Sequence, residues 1–443
     1  MQLPVEFLLF AKRFFASEYN SFLQALALSP PVSVRINRQK NTVPPTSNPT
    51  PWCSAGYYLE QRPAFIFDPL FHAGCYYVQE ASSMFLEQAI QQYVHHPVRV
   101  LDACAAPGGK STHLLSLLPE GSLLVANEVI RSRAGILAEN IAKWGCANVT
   151  VTANDPADFC RLPDFFDVVL VDAPCSGEGM FRKDAATVAQ WSPKNVQLCA
   201  ERQQRILAAC WKCLKPGGML IYSTCTYNTA ENEENIDWLL RTFHAVLLPL
   251  NFPAEWGVSS PVYPAVYRFF PHKVQGEGFS LAVVQKPIDD TDIFLADKPR
   301  KYKFQPLPVN WIRNKDEFIT EQNGNCITVF PVATYAECQQ IRKHLRVVTS
   351  GIPIAVINRK DISPTPQLAL SVHLNKSAFV CFEADLHTAI AYLRREAIAL
   401  PANMERGYIL ITYNETALGF VKNTGTRGNN LYPLEWRIKK MNN

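Results

Sequence analysis

The chain has 443 residues, 43 Lys/Arg against 39 Asp/Glu, 48% apolar residues and 13 cysteines. It is too long for one ordinary domain, its balance of charged and apolar residues excludes a disordered chain, and it lacks the run of about 18 apolar residues that a spanning helix needs. The cysteines are odd in number and follow no framework spacing, which argues against a disulfide scaffold and for free thiols in a reducing cytosol.

The first 28 residues read as helical, because Phe7, Leu8, Phe14, Phe15, Phe22 and Leu26 recur at three- to four-residue spacing and Pro30-Pro31 ends the pattern. Residues 1–13 hold an acid and no small-residue cleavage motif, so they read as the start of that helix and not as a signal peptide. Residues 32–37 alternate as a short strand, a proline-rich loop follows at 42–51, and aromatic residues at 52–67 suggest two more strands. These pieces make a small α+β module, residues 1–72, in which Arg35, Arg38 and Lys40 are candidate phosphate contacts. Residues 76–93 read as a helix with Val78, Ala81, Phe85 and Ala89 on one face.

Strand patterns at 98–102, 122–127, 148–152, 167–171 and 218–223 then alternate with helical patterns at 109–118, 131–143 and 194–213. Such alternation specifies an α/β fold with a doubly wound parallel sheet. Segments at 245–250 and 279–285 are expected to finish it as an antiparallel pair, giving a central unit over residues 73–290. Residues 291–308, rich in proline and charge, read as a linker. Residues 309–443 mix strands at 326–330, 354–357, 408–413 and 418–422 with helices at 334–345 and 385–399. From residue 300 onward there are 19 Lys/Arg against 11 Asp/Glu, so the positive charge is concentrated in this last part. A basic tail of that kind suits a polyanionic partner.

Three short motifs follow the apolar runs at 98–101, 168–171 and 219–222, and in an open α/β sheet ligands bind beyond the carboxyl ends of the strands. The first runs Asp102, Ala103, Cys104, Ala105, Ala106, Pro107, Gly108, Gly109, Lys110. Its glycines allow close backbone approach at a helix start. It has Cys104 where a triphosphate-binding loop needs glycine, and no dinucleotide fingerprint is present, so a ligand without pyrophosphate is expected. Glu128, beyond the second strand, is placed to take a ribose diol, and Asp155, beyond the third, an adenine edge. S-adenosylmethionine satisfies that set. The second and third motifs, Asp172-Ala173-Pro174-Cys175 and Ser223-Thr224-Cys225, bring two thiols to neighbouring strand ends amid polar, turn-forming residues. Cys146, Cys160, Cys199 and Cys381 are expected as buried small hydrophobes, as are Cys210 and Cys213 on one helix face. The nine histidines are dispersed and no metal-ligand spacing is found.

These motifs resemble those of the Sun family of RNA 5-methylcytosine methyltransferases. Residues 76–83, 268–279 and 33–37 are similar to segments flanking that family's core, with Glu80 where aspartate is frequent. The segments 407–413 and 419–437 resemble the C-terminal domain of the bacterial RsmF-type branch, which acts on small-subunit ribosomal RNA. The resemblance implies a Rossmann-like, S-adenosylmethionine-dependent core, cofactor contacts at Cys104 to Lys110, Glu128, Asp155 and Asp172, and a PUA-like RNA-binding C-terminal domain. It implies Cys225 as nucleophile and Cys175 as the thiol that helps release product. The Pro-Cys motif of DNA cytosine methyltransferases would instead make Cys175 the nucleophile. Asp172 is the candidate for assisting at ring nitrogen 3 of the base. The expectation is a cytoplasmic, monomeric RNA cytosine-C5 methyltransferase without metal or membrane partner, acting on ribosomal RNA or the assembled subunit. The alternatives are the same chemistry on transfer RNA, or a non-catalytic RNA-binding assembly factor.

Overall fold

The computed structural model describes residues 3–40, 43–288, 310–359, 361–425 and 427–439; the expected linker at 291–308 lies outside them. The N-terminal helical stripe is buried as expected at Phe7, Ala11, Phe15, Phe22 and Leu26. It is two helices, Val5–Phe15 and Tyr19–Ala27, broken by a 3-10 turn at Ala16–Glu18 with Ala16 at φ 46°. Their apolar faces pack on Phe181, Trp191, Tyr227 and Phe270 of the central unit.

Strands β1 (Val32–Ile36), β2 (Gly56–Leu59) and β3 (Tyr76–Val78) form an antiparallel sheet in the order β2-β1-β3. The helix expected at 76–93 therefore begins late. Tyr76, Tyr77 and Val78 are aromatic and β-branched residues, and they pair with the open edge of β1. Helix follows only at Leu86–Tyr93, after a 3-10 turn at Ser82–Phe85.

The five expected central strands are all present: β4 (Arg99–Asp102), β5 (Leu123–Asn127), β6 (Val149–Thr152), β7 (Phe166–Asp172) and β8 (Leu214–Thr224). They run parallel in the order β8-β7-β4-β5-β6. The intervening helices include Gly109–Leu117, Arg131–Trp144 and Pro193–Cys213. Three antiparallel strands extend the sheet beyond β8: β9 (Val246–Leu248), β10 (Val266–Phe269) and β11 (Phe279–Gln285), of which β11 lies against β8. The sequence reading did not include β10, a four-residue strand directly after the turn-forming stretch 259–265.

The C-terminal part carries two further sheets. β12 (Phe318–Asn323), β13 (Cys326–Pro331), β15 (Ile352–Asn358) and β16 (Asp361–Pro364) make one; β17 (Val380–Glu383), β18 (Gly407–Tyr413), β19 (Thr416–Asn423) and β20 (Gly428–Asn430) make the other. β14 (Val347–Ser350) belongs to neither. It pairs antiparallel with β6 and becomes the last strand of the central sheet. Phe330, Cys338, Ile341 and Leu345 of the same region join the core cluster that contains Leu101, Val125, Val169 and Trp211. The tail is thus joined to the central unit through its core and not only through a linker.

That junction predicts coupled stability. Ile341, fully buried in the shared cluster, is expected to cost about 2–5 kcal/mol on replacement by alanine. Native-state hydrogen exchange on Ile341→Ala should show reduced protection in β6 as well as in the tail. A tail that opens alone would leave β6 unchanged.

Candidate active site

β4 is where the sheet order reverses, with β5 on one side and β7 on the other. A cavity of about 430 Å³ opens beyond the carboxyl ends of β4, β7 and β8, and its lining includes Cys104, Lys110, Asp172, Cys225, Glu277 and Phe279. The loop after β4 is pinned on several sides: Ala105 N donates to Asn127 O (2.8 Å), Arg133 Nη2 to Ala106 O (2.9 Å) and Asn140 Nδ2 to Pro107 O (2.8 Å). Gly108 sits at φ 118°, in the left-handed region, and the helix Gly109–Leu117 begins directly after it. Its first N–H groups have no intrahelical acceptor, and Gly109 and Lys110 line the cavity.

Cys175 and Cys225 meet. Their sulfur atoms lie 3.2 Å apart. The hydrogen bond to Cys225, followed by burial, raises the Cys175 thiol well above its ordinary value. Lys110 Nζ lies 2.9 Å from Asp172 Oδ2, and Ser223 Oγ donates to Asp172 Oδ1 at 2.8 Å. Burial opposes the charge on Lys110, but Asp172, then Cys225 and Asp102, hold it above the ordinary lysine value.

Behind the thiols lies a buried polar network. Glu178 Oε2 accepts from Tyr227 N (2.7 Å) and Asn228 N (2.9 Å), and Oε1 from Trp191 Nε1 (3.0 Å) and Asn228 Nδ2 (3.1 Å). Glu231 Oε2 accepts from Ser176 N (2.9 Å) and Gln203 Nε2 (2.8 Å), and Oε1 from Asn228 Nδ2 (2.7 Å). The loops after β7 and β8 are so tied to each other. The approach of the loop before β11 is equally tight: a Cβ on Gly278 would stand 2.5 Å from the Tyr227 ring. Glu178 follows the second motif three residues after Cys175, but nothing in the sequence advertises its contact with Tyr227, and Glu231 carried no sequence signal.

Among the acids, Asp102 was legible only as a motif member. It is fully buried, accepts from Ser111 Oγ (2.6 Å) through Oδ2, lines the cavity, and has no hydrogen-bond partner for Oδ1. Burial pushes its carboxyl up to about 7, with Asp172 adding to the rise. An orphaned acceptor at this place suits a cationic ligand, and S-adenosylmethionine carries both an ammonium and a sulfonium. Glu128 is buried beyond β5, accepts from Ile130 N (2.9 Å) and lies 3.4 Å from Arg133 Nη1. Asp155 caps the turn Pro156–Arg161 and pairs with Arg205 at 3.2 Å. Gly108, Glu128 and Asp155 are not among the residues that line the cavity. The structure thus gathers Cys104 to Pro107, Gly109, Lys110, Asp172 and Cys225 directly, with Cys175 touching Cys225.

Other expectations are corrected. Arg35 is buried, with Nε 2.8 Å from Gln79 Oε1 and Nη2 2.7 Å from Thr112 Oγ1, so it fastens the N-terminal sheet to the helix Gly109–Leu117 and is no phosphate contact. Lys40 donates to the Ala73 and Lys143 carbonyls, and burial lowers it to about 8. Arg38 donates to Ser54 O. Cys160 and Cys381 are exposed because they occupy a short turn and the edge strand β17, whereas Cys146, Cys199, Cys210 and Cys213 are buried. Cys53, Glu87 and His113, remote in sequence, come together with donor atoms within 4.8 Å of one another. His113 Nε2 lies 3.0 Å from Glu87 Oε2, burial holds the imidazole neutral at about 4, and Glu87 opposes the lowering that burial imposes on Arg35. The group serves as a counter-charge beneath Arg35.

The 16S rRNA methyltransferase RsmB/F family matches residues 92–285. The N-terminal domain of 16S rRNA methyltransferase RsmF matches 3–81, and the methyltransferase RsmF PUA domain matches 379–438. The PUA match covers β17 to β20 and leaves out the sheet of β12, β13, β15 and β16. The ribosomal RNA small subunit methyltransferase F of Salmonella heidelberg is 30% identical over 457 residues, 94% of this chain and 92% of the relative. A methyltransferase homolog from Pyrococcus horikoshii has a TM-score of 0.54 at 30% identity, over 63% of this chain and 94% of that one. NSun6 from the same organism, solved with SFG, has a TM-score of 0.54 at 21% identity, over 65% and 99%, and shows the shared fold.

If Asp102 meets the cationic cofactor, binding is expected to depend on pH. Below about 7 the Asp102 carboxyl is protonated, and a bound cation must displace that proton. Affinity for S-adenosylmethionine is expected to rise as pH climbs through about 7 and to level off above, with a proton released on binding. Calorimetry in buffers of different ionisation heat measures the release, and Asp102→Asn should abolish it.

Proposed function

The chain belongs to the RsmB/F family of 16S rRNA methyltransferases, which use S-adenosylmethionine, and from that membership we propose that it methylates carbon 5 of a cytosine in small-subunit ribosomal RNA. The observation that carries the carbon-5 chemistry is the contact between Cys175 and Cys225 beside the Lys110–Asp172 pair. We take the enzyme to act as a cytoplasmic monomer; among the described residues no helix is long and apolar enough to cross a membrane.

Carbon 5 of cytosine is a weak nucleophile. Addition of the Cys225 sulfur at carbon 6 makes the ring enamine-like and directs electron density to carbon 5. The cofactor supplies an electrophilic methyl group. Asp102 and the loop from Cys104 to Lys110 would hold it, with Glu128 on its ribose and Asp155 toward its adenine. Asp172, fixed by Lys110 and Ser223, faces the cavity where it can assist at ring nitrogen 3. The carbon-5 proton passes to a water before the Cys225–carbon-6 bond breaks, the C–H electrons forming the 5,6 double bond as the C–S pair leaves with the Cys225 sulfur. Cys175, which lies against Cys225, positions that water and donates its thiol proton to the departing sulfur. The target base must leave its stack to reach Cys225, which is easier in loops and single strands than in a duplex.

Two experiments test this reading. Glu128→Ala should weaken S-adenosylmethionine binding by about 1–3 kcal/mol, the scale of a lost buried hydrogen-bond partner. Unchanged affinity in calorimetric titration removes Glu128 from the cofactor site. Cys225→Ala should lose activity without trapping RNA. Cys175→Ala should still form the adduct but stall in elimination, giving a band of reduced mobility on a denaturing gel that the double variant lacks. An adduct in Cys225→Ala that disappears with Cys175 would exchange the two roles.

A further inference from the structure

Resting on the reading that RNA is the substrate, we propose that Arg62 and Lys183 form a two-cation clamp that grips the RNA backbone on either side of the extruded cytosine. Both residues line the cavity that has Cys225 in its wall, and both are exposed. They come from different parts of the chain. Arg62 follows β2 in the N-terminal segment, and Lys183 follows the turn Glu178–Met180 beyond β7. A base that reaches Cys225 leaves its two flanking phosphates outside, where these residues stand.

The charges around them distinguish these two cations from their neighbours. Lys110, the third cation of the lining, is committed to Asp172. Among the described residues Arg62 has no hydrogen-bond or ion-pair partner, and its guanidinium lies 5.5 Å from the centre of the Phe65 ring, which fixes its direction without consuming its donors. Lys183 Nζ stands 3.5 Å from Glu277 Oε1, a loose contact, while Arg182 Nε takes the other oxygen of that carboxylate at 2.9 Å. Glu277 is shared between Arg182 and Lys183, and because its Oε1 has no hydrogen-bond partner the Lys183 ammonium keeps its donors to spare. Glu80, another acid of this wall, is occupied by the N–H groups of Ser82 and Ser83 (both 2.9 Å) and Glu277 (2.8 Å). Lys183 thus shares its one acid with Arg182, and Arg62 has no acid partner among the described residues. Of the basic residues first suspected of touching phosphate, Arg35 is buried and Lys40 spends donors on backbone carbonyls, while Arg38 is exposed but does not line the cavity as Arg62 does.

The test uses the full chain, protein-free small-subunit ribosomal RNA, and the variants Arg62→Ala, Lys183→Ala and their combination. Each lost phosphate contact should reduce the slope of log affinity against log salt by about 0.7, the single-strand value, and the double variant by about twice that. KM for RNA should rise while S-adenosylmethionine affinity and the unfolding temperature stay at wild-type values, and Lys183→Arg should restore the slope. An unchanged slope in the double variant overturns the clamp. So does a Lys183→Ala that only lowers the unfolding temperature, as Glu277→Gln would, since that marks a structural ion pair. If wild-type protein binds this RNA but transfers no methyl group to it, the substrate assignment fails separately, and the salt slopes still decide the clamp.

Discussion

Two buried carboxylates hold the site together. Glu178 and Glu231 lie within the loops that follow β7 and β8, and between them they accept from Ser176, Tyr227 and Asn228, the residues next to the two cysteines. A loop carrying a reactive thiol is ordinarily mobile. Here each loop's backbone N–H groups end on a carboxylate that belongs to the other. Leaving one such buried donor unpaired costs about 1–3 kcal/mol, so separating the loops would forfeit several contacts together. The 3.2 Å approach of Cys175 to Cys225 depends on this cross-tie.

The same logic extends outward through Tyr227. Its N–H is taken by Glu178, its carbonyl by the buried Arg268, and Arg268 is in turn neutralised by Glu233 at 2.7 Å. Its ring packs edge-on against Phe22 at 5.1 Å. The N-terminal helices thereby bear on the residue two places beyond Cys225. Apolar burial at the periphery and hydrogen bonding at the centre act on one short segment, which explains why the helical stripe of residues 5–27 faces the central unit and not its own sheet.

The central sheet was legible because buried parallel strands are unbroken apolar runs, and β4 to β8 have that form. The loops bearing Cys104, Lys110, Cys175 and Cys225 were legible for the opposite reason: polar and turn-forming residues interrupt such runs. What escaped were contacts between distant segments. β3 looked helical because Tyr76 to Val78 precede a real helix, and only the open edge of β1 makes them a strand. Glu231, the orphaned oxygen of Asp102 and the Cys53–Glu87–His113 group depend on neighbours that no local pattern names. β14 was invisible for the same reason, since its partner β6 lies almost two hundred residues earlier, on the order of the whole central unit.

Charge shows most clearly why position must be known before a count is interpreted. The tail holds a surplus of positive residues, yet its strand β14 completes the central sheet and Arg346 caps it, donating from its N–H to Asn154 Oδ1 at 3.0 Å while its carbonyl accepts from Ala153 N. The tail is therefore built into the central sheet through β14, whatever charge it carries. In the N-terminal segment the inversion is sharper. Arg35 and Lys40, which looked like phosphate contacts, spend their donors on Gln79, Thr112 and backbone carbonyls. Their burial costs solvation, and Glu87 offsets part of it for Arg35. Arg35 fixes the N-terminal sheet against the helix that opens with Gly109 and Lys110, and Lys40 ties the segment to Ala73 and to Lys143 of the helix Arg131–Trp144. These cations are thus turned into the protein, and among the described residues the exposed cations that line the cavity are Arg62 and Lys183.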